Sequence, residues 1–181
     1  MTDSASRERA LEQTVFDEWP TELRALFDGT SLETKAGFTA SLILCEANGH
    51  LRTSLLGVGE LYAPDARTLA FALWPSSRAA RALREQAARG RAQAGLTFVY
   101  EAAFYQVQLD VRPLSDADGE RGAQDALACF VASIETGEAQ QVRYARLNSG
   151  ITFELGATKP AVLERWGQQV GRLRQALLGA R

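Results

Sequence analysis

The sequence is poor in the residue types that common metal and catalytic sites need. It has two distant cysteines, Cys45 and Cys129, and a single histidine, His50. One histidine cannot build a histidine-based metal site or a catalytic triad with any redundancy, and no metal-ligand spacing includes the cysteines. We therefore predict no metal site and no catalytic side chain. His50 is expected in a solvated turn, and both thiols are expected to be buried and unbridged.

Long apolar runs and a charge excess are also missing. No stretch of about 18 apolar residues occurs, so the sequence predicts no transmembrane helix. The formal net charge is −2, which gives no field that favours nucleic acid or an anionic membrane. Residues 1–9 mix acidic and basic side chains, unlike a secretory signal. These features predict a cytoplasmic protein that binds neither nucleic acid nor membranes.

Several motifs that would identify an enzyme are absent. The chain has no glycine-rich dinucleotide fingerprint, no phosphate loop, no nucleophile elbow and no Cys/His pair at usable spacing. Lys35 and Lys159 are the only lysines among the 20 basic residues. A chain without an evident acid, base or nucleophile cluster either binds a ligand or takes its chemistry from a cofactor.

What the sequence does contain is a clear alternation of helical and extended patterns. Apolar spacing predicts helices over 6–28 (interrupted at Pro20), 78–89, 124–136 and 159–178, and strands over 37–46, 50–62, 68–74, 93–101, 104–114 and 151–155. Asn48-Gly49 between the first two strands is a hairpin signal, and the first three strands are expected to form a meander. Gly57 and Gly59 inside the second strand indicate a bulge, a bend, or close approach by a ligand or another backbone.

This order predicts one α+β domain with a mostly antiparallel, closed sheet. Residues 1–36 form an N-terminal helical segment, and 37–115 form the core. Residues 116–181 complete the same domain with a helix, a sixth strand and a C-terminal helix.

The best polar cluster lies where the third strand ends and a helix begins. Ser76 and Ser77 can cap that helix, whose free N–H groups and dipole favour an anion. Arg78 and Arg81 are three residues apart on one helix face, so both can reach the same dianion. The alternative is an ordinary capped helix with solvated arginines, in which Arg81 pairs with Glu85.

Two strands add further candidates. Arg52 and Ser54 are two residues apart and project from one face of the second strand. In a meander they lie beside the strand that leads to Ser77, although an ordinary solvent-facing strand pair is an equally good interpretation. Gln106 lies on the polar face of strand 104–114, opposite Tyr105 and its apolar neighbours.

In this order the pieces resemble the pyridoxamine 5′-phosphate oxidase-like FMN-binding split barrels. Residues 51–57 (LRTSLLG) resemble the family strand that begins with a phosphate-binding arginine, which matches Arg52. Residues 69–83 resemble the segment that holds the flavin and its phosphate, with Ser77 and Arg78 matching. Residues 105–114 resemble the strand whose glutamine contacts the isoalloxazine ring, and Gln106 matches.

The resemblance covers roughly residues 37–114. It implies an α+β fold, a six-stranded antiparallel split β-barrel with flanking helices, that works as a homodimeric FMN-dependent oxidoreductase on a small-molecule substrate. In such barrels the flavin lies between subunits, and hydride moves to or from its ring. The cofactor-binding residues then expected are Arg52, Ser54, Ala72, Leu73, Trp74, Ser77, Arg78, Arg81 and Gln106.

The sequence also departs from this family. Members often carry lysines where this chain has Gly57 and Ala79, so Arg81 or Arg84 would have to compensate. The C-terminal helix lacks the family's substrate motif, which argues against oxidation of pyridoxamine phosphate. Trp166 in that helix either closes over the flavin or packs inside the fold. The alternatives are a non-catalytic binding module, or a barrel that holds deazaflavin or, less compatibly with a single histidine, haem.

Overall fold

The computed structural model of the chain describes residues 11–114 and 127–179, which form eight strands and three α-helices. The strands are β1 Leu11–Phe16, β2 Thr39–Cys45, β3 Leu51–Gly57, β4 Leu61–Tyr62, β5 Thr68–Leu73, β6 Ala92–Tyr100, β7 Ala103–Pro113 and β8 Ala128–Val142. The helices are α1 Thr21–Leu26, α2 Arg78–Ala88 and α3 Lys159–Gly179, and a 3-10 turn spans Val58–Glu60. Within the described residues, no helix is long and apolar enough to cross a membrane.

All eight strands belong to one antiparallel sheet. Its order is β3-β2-β6-β7-β8-β5-β4, and β1 pairs with the far half of β8. The two strands at the ends of this order, β3 and β4, are consecutive in the chain and joined by the 3-10 turn alone. The sheet therefore curls until its ends meet, which makes an α+β split barrel. The predicted architecture is confirmed, but its strand count of six is wrong.

The two faces of the sheet differ in chemistry. Leu42, Leu96 and Val107 face one another on neighbouring strands and are fully buried, which defines the inner face. Ser41 and Gln106 lie in the next row and are only partly buried, which defines the outer face. Strand alternation thus separates an apolar barrel interior from a more polar exterior.

The predicted hairpin at Asn48-Gly49 is confirmed. The Glu46 N–H donates to the His50 carbonyl at 2.8 Å, and Gly49 has a φ of +82°, a conformation that favours glycine. His50 is exposed, and its N–H donates to Asn48 Oδ1 at 3.0 Å, so it is a turn residue as expected. Cys45, which ends β2, is exposed, contrary to the expectation of a buried thiol.

The predicted N-terminal helix is wrong over Leu11–Phe16, which is strand β1; residues 6–10 of that prediction lie outside the described residues. Leu11 and Val15 are four residues apart, and this spacing places two side chains on one face of a strand as well as of a helix. Pairing decides between them, because β1 fills the edge of β8 and lays Phe16 over Gly137. The second predicted helix is confirmed as α1.

The helix predicted over 124–136 is also wrong, because β8 occupies Ala128–Val142; residues 124–126 lie outside the described residues. Phe130 faces the barrel core, whereas Cys129 packs in the cluster that contains Leu173 of α3. The Cys129 Sγ lies 3.8 Å from the Leu127 carbonyl. A strand buried on both faces carries apolar residues at every position, and such a run cannot be told from a buried helix by periodicity.

Two further predictions fail. Residues 151–155 are irregular, not a sixth strand. The meander is incomplete, because β3 pairs with β2, whereas β5 lies at the other end of the sheet between β8 and β4. The meander requires residues 50–62 to form one strand, but the 3-10 turn divides this segment into β3 and β4.

The glycines at that break make room for α3. A Cβ on Gly59 would lie 2.0 Å from Trp166 Cγ, and one on Gly57 would lie 3.3 Å from Trp166 Cζ2. The bend that was one predicted alternative is confirmed by the 3-10 turn, and the group that approaches these glycines is neither a ligand nor a backbone but the Trp166 side chain. Trp166 is only 6% exposed and packs edge-on against Phe153. This supports the packing interpretation of Trp166.

Candidate functional site

The start of α2 is built by a tight turn after β5. The Ser77 N–H donates to the Trp74 carbonyl at 2.9 Å, and Ser77 Oγ accepts from the Ala80 N–H at 3.1 Å. Ser77 is therefore the N-cap, as predicted, and its hydroxyl proton remains available to a ligand. The remaining N–H groups and the dipole of this 11-residue helix favour an anion at the same place.

A cleft of about 410 Å³ lies between α2 and the turn that joins β2 to β3. Its charged lining consists of Arg52, Arg78 and Arg81 together with Glu46 and Glu85. Three guanidinium groups against two carboxylates give the lining a formal charge of about +1. We call this feature the arginine cleft. The structure thus brings together three of the predicted cofactor-binding residues.

The guanidinium groups of the arginine cleft have hydrogen-bond donors that no protein acceptor occupies in the part of the chain that the structure describes. Arg52 Nε lies 3.0 Å from Glu46 Oε2, yet its N–H is not directed at the carboxylate, and this buried nitrogen has no hydrogen bond. Within the described residues, the exposed side chains of Arg78 and Arg81 form no hydrogen bond or ion pair. The alternative pair between Arg81 and Glu85 does not form there either. All three arginines can therefore turn donors toward a bound dianion.

Arg84, the other candidate for compensation, does not line the arginine cleft. Its Nη1 donates to the Pro75 carbonyl at 3.3 Å, so it braces the loop that precedes α2. Ser54 shares a face of β3 with Arg52 but lies half-buried, paired across the strands with Leu42. Neither Arg84 nor Ser54 reaches the lining.

Residues 72–74 lie at the end of β5, outside the lining of the arginine cleft. The side chains of Ala72 and Leu73 are buried, whereas Trp74 is 52% exposed. On one edge of β5 the neighbour is β8; on the other, pairing with β4 stops at Leu61 opposite Phe71. Backbone groups of 72–74 on that second edge are not covered by β4.

Gln106 lies on the other face of the sheet from Arg52. It faces Thr97 on β6 and Glu138 on β8, in the row of the outer face that also contains Ser41 and Leu55. Arg52 belongs to the opposite face, because it alternates with Leu55 along β3. Within one chain, therefore, Gln106 and the arginine cleft do not share a surface.

The acidic side of the cleft was not predicted from the sequence. Glu46 and Glu85 both line it, and Glu46 sets the position of Arg52. A usable signal existed for Glu46, because a hairpin centred on Asn48-Gly49 fixes the register that brings residues 46 and 52 close together. No comparable signal placed Glu85 there, since its position depends on how α2 packs on the barrel.

At the two positions where the resembled family often has a lysine, the packing of this chain leaves no room for one. Gly57 is buried beneath Trp166, and Ala79 is 3% exposed on the core side of α2. A lysine at either position would need space that the barrel core or α3 already fills. These two positions therefore have no space for a lysine side chain.

Comparison with known proteins gives matches among solved structures only. No family model matches the chain. No curated protein matches it either. A candidate pyridoxamine 5′-phosphate oxidase from Lactobacillus delbrueckii is 14% identical, with 67% of this chain and 94% of that chain covered and a TM-score of 0.49. These values indicate a similarity of fold alone.

Two other solved structures are similar in the same way. An FMN-binding protein from Syntrophomonas wolfei is 15% identical, with 63% and 85% of the two chains covered and a TM-score of 0.38. An F420 reductase is 11% identical, with 66% and 98% covered and a TM-score of 0.43.

Proposed function

We propose that the protein binds a flavin-type cofactor, FMN, whose phosphate occupies the arginine cleft. The observation that carries this proposal is the convergence of Arg52, Arg78 and Arg81 beside a capped helix N-terminus. Two of these arginines are exposed and without a partner in the described chain, and the third has a buried Nε that lacks a hydrogen bond. A phosphate dianion would satisfy all three at once.

Several groups around the arginine cleft would bind the phosphate of FMN. Arg78 and Arg81 would supply paired guanidinium donors, Ser77 would donate its hydroxyl proton, and the first N–H groups of α2 would add uncharged donors. Arg52 would reach the phosphate from the side of β3. A bound flavin would supply hydride and electron transfer, while the protein would supply position and electrostatics. This agrees with the absence of an evident catalytic side chain in the sequence.

Gln106 would require a second copy of the chain, because it faces away from the arginine cleft. Gln106 lies on the outer face, where Leu11, Val15 and Leu55 are each more than half exposed. Apolar side chains on an exposed sheet face favour burial against a partner. We propose a cytoplasmic homodimer in which this face covers the flavin ring held by the other subunit, with Gln106 and the backbone of 72–74 as ring contacts.

The enzymatic role is proposed as that of an oxidoreductase acting on an unassigned small molecule. The second candidate is a non-catalytic module that binds or sequesters a flavin. Gly57 and Ala79 favour this candidate, because the two family lysines are replaced and their space is filled. Reduction of the bound flavin by NADH or NADPH separates the two, since a sequestering module would hold the flavin without reacting.

The first experiment is a titration of the purified protein with FMN, followed by quenching of flavin fluorescence. Arg78→Ala should weaken FMN binding at least tenfold, because a hydrogen bond to a charged group contributes about 1.5–3 kcal/mol. Riboflavin, which lacks the phosphate, should bind the variant and the wild type equally. Arg172→Ala, an exposed arginine of α3 outside the arginine cleft, is the matched control and should leave FMN affinity unchanged.

Two results would contradict the proposal. A colourless purified protein that takes up no added FMN has no such site. An Arg78→Ala protein that loses riboflavin and FMN alike would show a general disturbance and not a phosphate contact.

A further inference from the structure

Residues 149–155, which we call the strap, cross the outer face of the sheet between β8 and α3. They have no regular structure and, within the described part of the chain, form no hydrogen bond. Side-chain contacts hold the strap instead: Phe153 packs on Trp166, and Gly150 lies against Val99 of β6. A segment with so few backbone hydrogen bonds opens at low cost.

The strap lies between two cavities. One, of about 750 Å³, extends toward α1 and is bounded by Phe38 and Tyr100. The other, of about 360 Å³, extends toward α3 and is bounded by Leu55 and Trp166. Both are lined by Thr39 and by residues 151–153, so the two cavities lie next to each other on either side of the strap. Each volume falls within the range of small-molecule sites.

One unsatisfied polar group and one carboxyl group line these cavities. The hydroxyl of Thr39 is buried under the strap and has no hydrogen-bond partner, a costly state that a bound molecule would relieve. Glu60 lines the smaller cavity and accepts the Gly57 N–H at 2.8 Å through Oε2, which leaves its other oxygen available. Arg165 lies on the same wall. Burial raises the pKa of Glu60, against the lowering effects of the Gly57 N–H and of Arg165.

We propose that the strap covers a binding site for a small, uncharged aromatic molecule with one hydrogen-bonding group, held by Thr39 and Glu60. Aromatic and aliphatic walls suit a flat apolar body. The carboxyl group of Glu60 and the guanidinium group of Arg165 give this wall no net charge, so neither an anion nor a cation gains a net attraction, which favours an uncharged ligand. The site lies at the Gly57 end of β3, about 17 Å along the strand from Arg52, so it is separate from the arginine cleft.

The test uses benzamide, which combines an aromatic ring with a donor and an acceptor. Titration of the ¹⁵N-labelled full chain should give saturable NMR shifts at the amides of Thr39, Val99 and Thr152. Thr39→Val removes the hydroxyl at nearly constant shape and should weaken benzamide binding about fivefold. Thr53→Val, an exposed threonine of β3 that lines neither cavity, should have no effect.

Toluene provides a second measurement that does not depend on a variant. It has the ring without the amide and should bind the wild type at least fivefold more weakly than benzamide does. The proposal fails if benzamide gives no saturable shifts, if toluene binds as tightly, or if Thr39→Val binds benzamide as the wild type does. Arg78→Ala should keep benzamide binding, so failure here is distinguishable from failure of the flavin proposal.

Discussion

The two ends of the β2–β3 hairpin are built on opposite principles. At the turn end, Arg52 meets Arg78 and Arg81 in an open cleft whose guanidinium groups lack full pairing. At the other end, Gly57 and Gly59 are covered by Trp166, and apolar side chains dominate. The turn end is organised for binding and leaves charge available. At the glycine end the indole lies directly against Gly57 and Gly59, so an added side-chain carbon has no space there.

This difference separates what should affect ligand binding from what should affect stability. Exposed charged groups contribute little to folding, because water screens them in both states. Buried contacts at van der Waals distance contribute several kcal/mol, because neither a cavity nor an extra carbon is tolerated well. Substitutions at the glycine end should therefore destabilise the fold, and those in the arginine cleft should change affinity.

The strongest test of this division is Gly59→Ala. The added Cβ would lie 2.0–2.4 Å from Trp166 Cγ, Cβ and Cδ1, atoms close to the α3 backbone, so the helix itself must shift. We expect the free energy of unfolding in urea to fall by about 3 kcal/mol. Gly171→Ala, where a Cβ meets no atom within 4 Å, is the control and should cost nothing or stabilise α3. An unchanged stability for Gly59→Ala would break the comparison.

A smaller effect is expected at the N-cap of α2, because Ser77 both stabilises the helix and lies beside the proposed phosphate. Ser77→Ala removes the acceptor of the Ala80 N–H and should lower the free energy of unfolding by about 1 kcal/mol. The same variant should weaken FMN binding, since its hydroxyl also faces the proposed phosphate. Ser76→Ala, an exposed neighbour that does not cap the helix, should leave the urea midpoint in place. If both variants behave alike, the cap contributes nothing.

The smallest effect concerns pH at the glycine end. Burial raises the pKa of Glu60 above its ordinary 4.5, so the folded state holds this proton more tightly than the unfolded state. The resulting stability is fully present below about pH 4.5 and is lost as the pH rises through the raised pKa. Glu60→Gln has no proton to lose at this position. Its free energy of unfolding should therefore increase relative to that of the wild type as the pH rises. Glu164→Gln, an exposed residue of α3, corrects for the removed charge, and parallel curves for all three proteins would refute the expectation.

The parts of the molecule that the sequence predicts are those with local signals. Asn48-Gly49 specifies the hairpin, Ser77 specifies the start of α2, and the alternation of 104–114 specifies β7. The convergence of Arg52, Arg78 and Arg81 was also predicted, although the meander invoked to explain it is wrong. Those residues meet because α2 packs on the sheet against β6, β7 and β3, not because β5 is the neighbour of β3.

The failures have one physical cause, which is that tertiary pairing decides between two local structures. Residues 128–132 are apolar on both faces because this part of β8 is buried between the core and α3, and this pattern also suits a helix. Leu11 and Val15 share a face in a helix and in a strand alike. Pairing with the edge of β8 is what selects the strand. For Gly59 the sequence suggested a bulge, a bend, or approach by a ligand or another backbone, but the approaching group is the Trp166 side chain. Nothing local connects residues so distant in the chain.

The meeting of β3 and β4 has a mechanical consequence. These two sheet ends are joined by a covalent turn but share no ladder of hydrogen bonds, so the barrel carries a seam. Parting the seam would break no strand pairing and would cost mainly the seating of the indole on the two glycines. Every other division of the sheet would break a complete ladder. The barrel can therefore open most easily between β3 and β4, and the packing of α3 on Gly57 and Gly59 is what holds these two strands together.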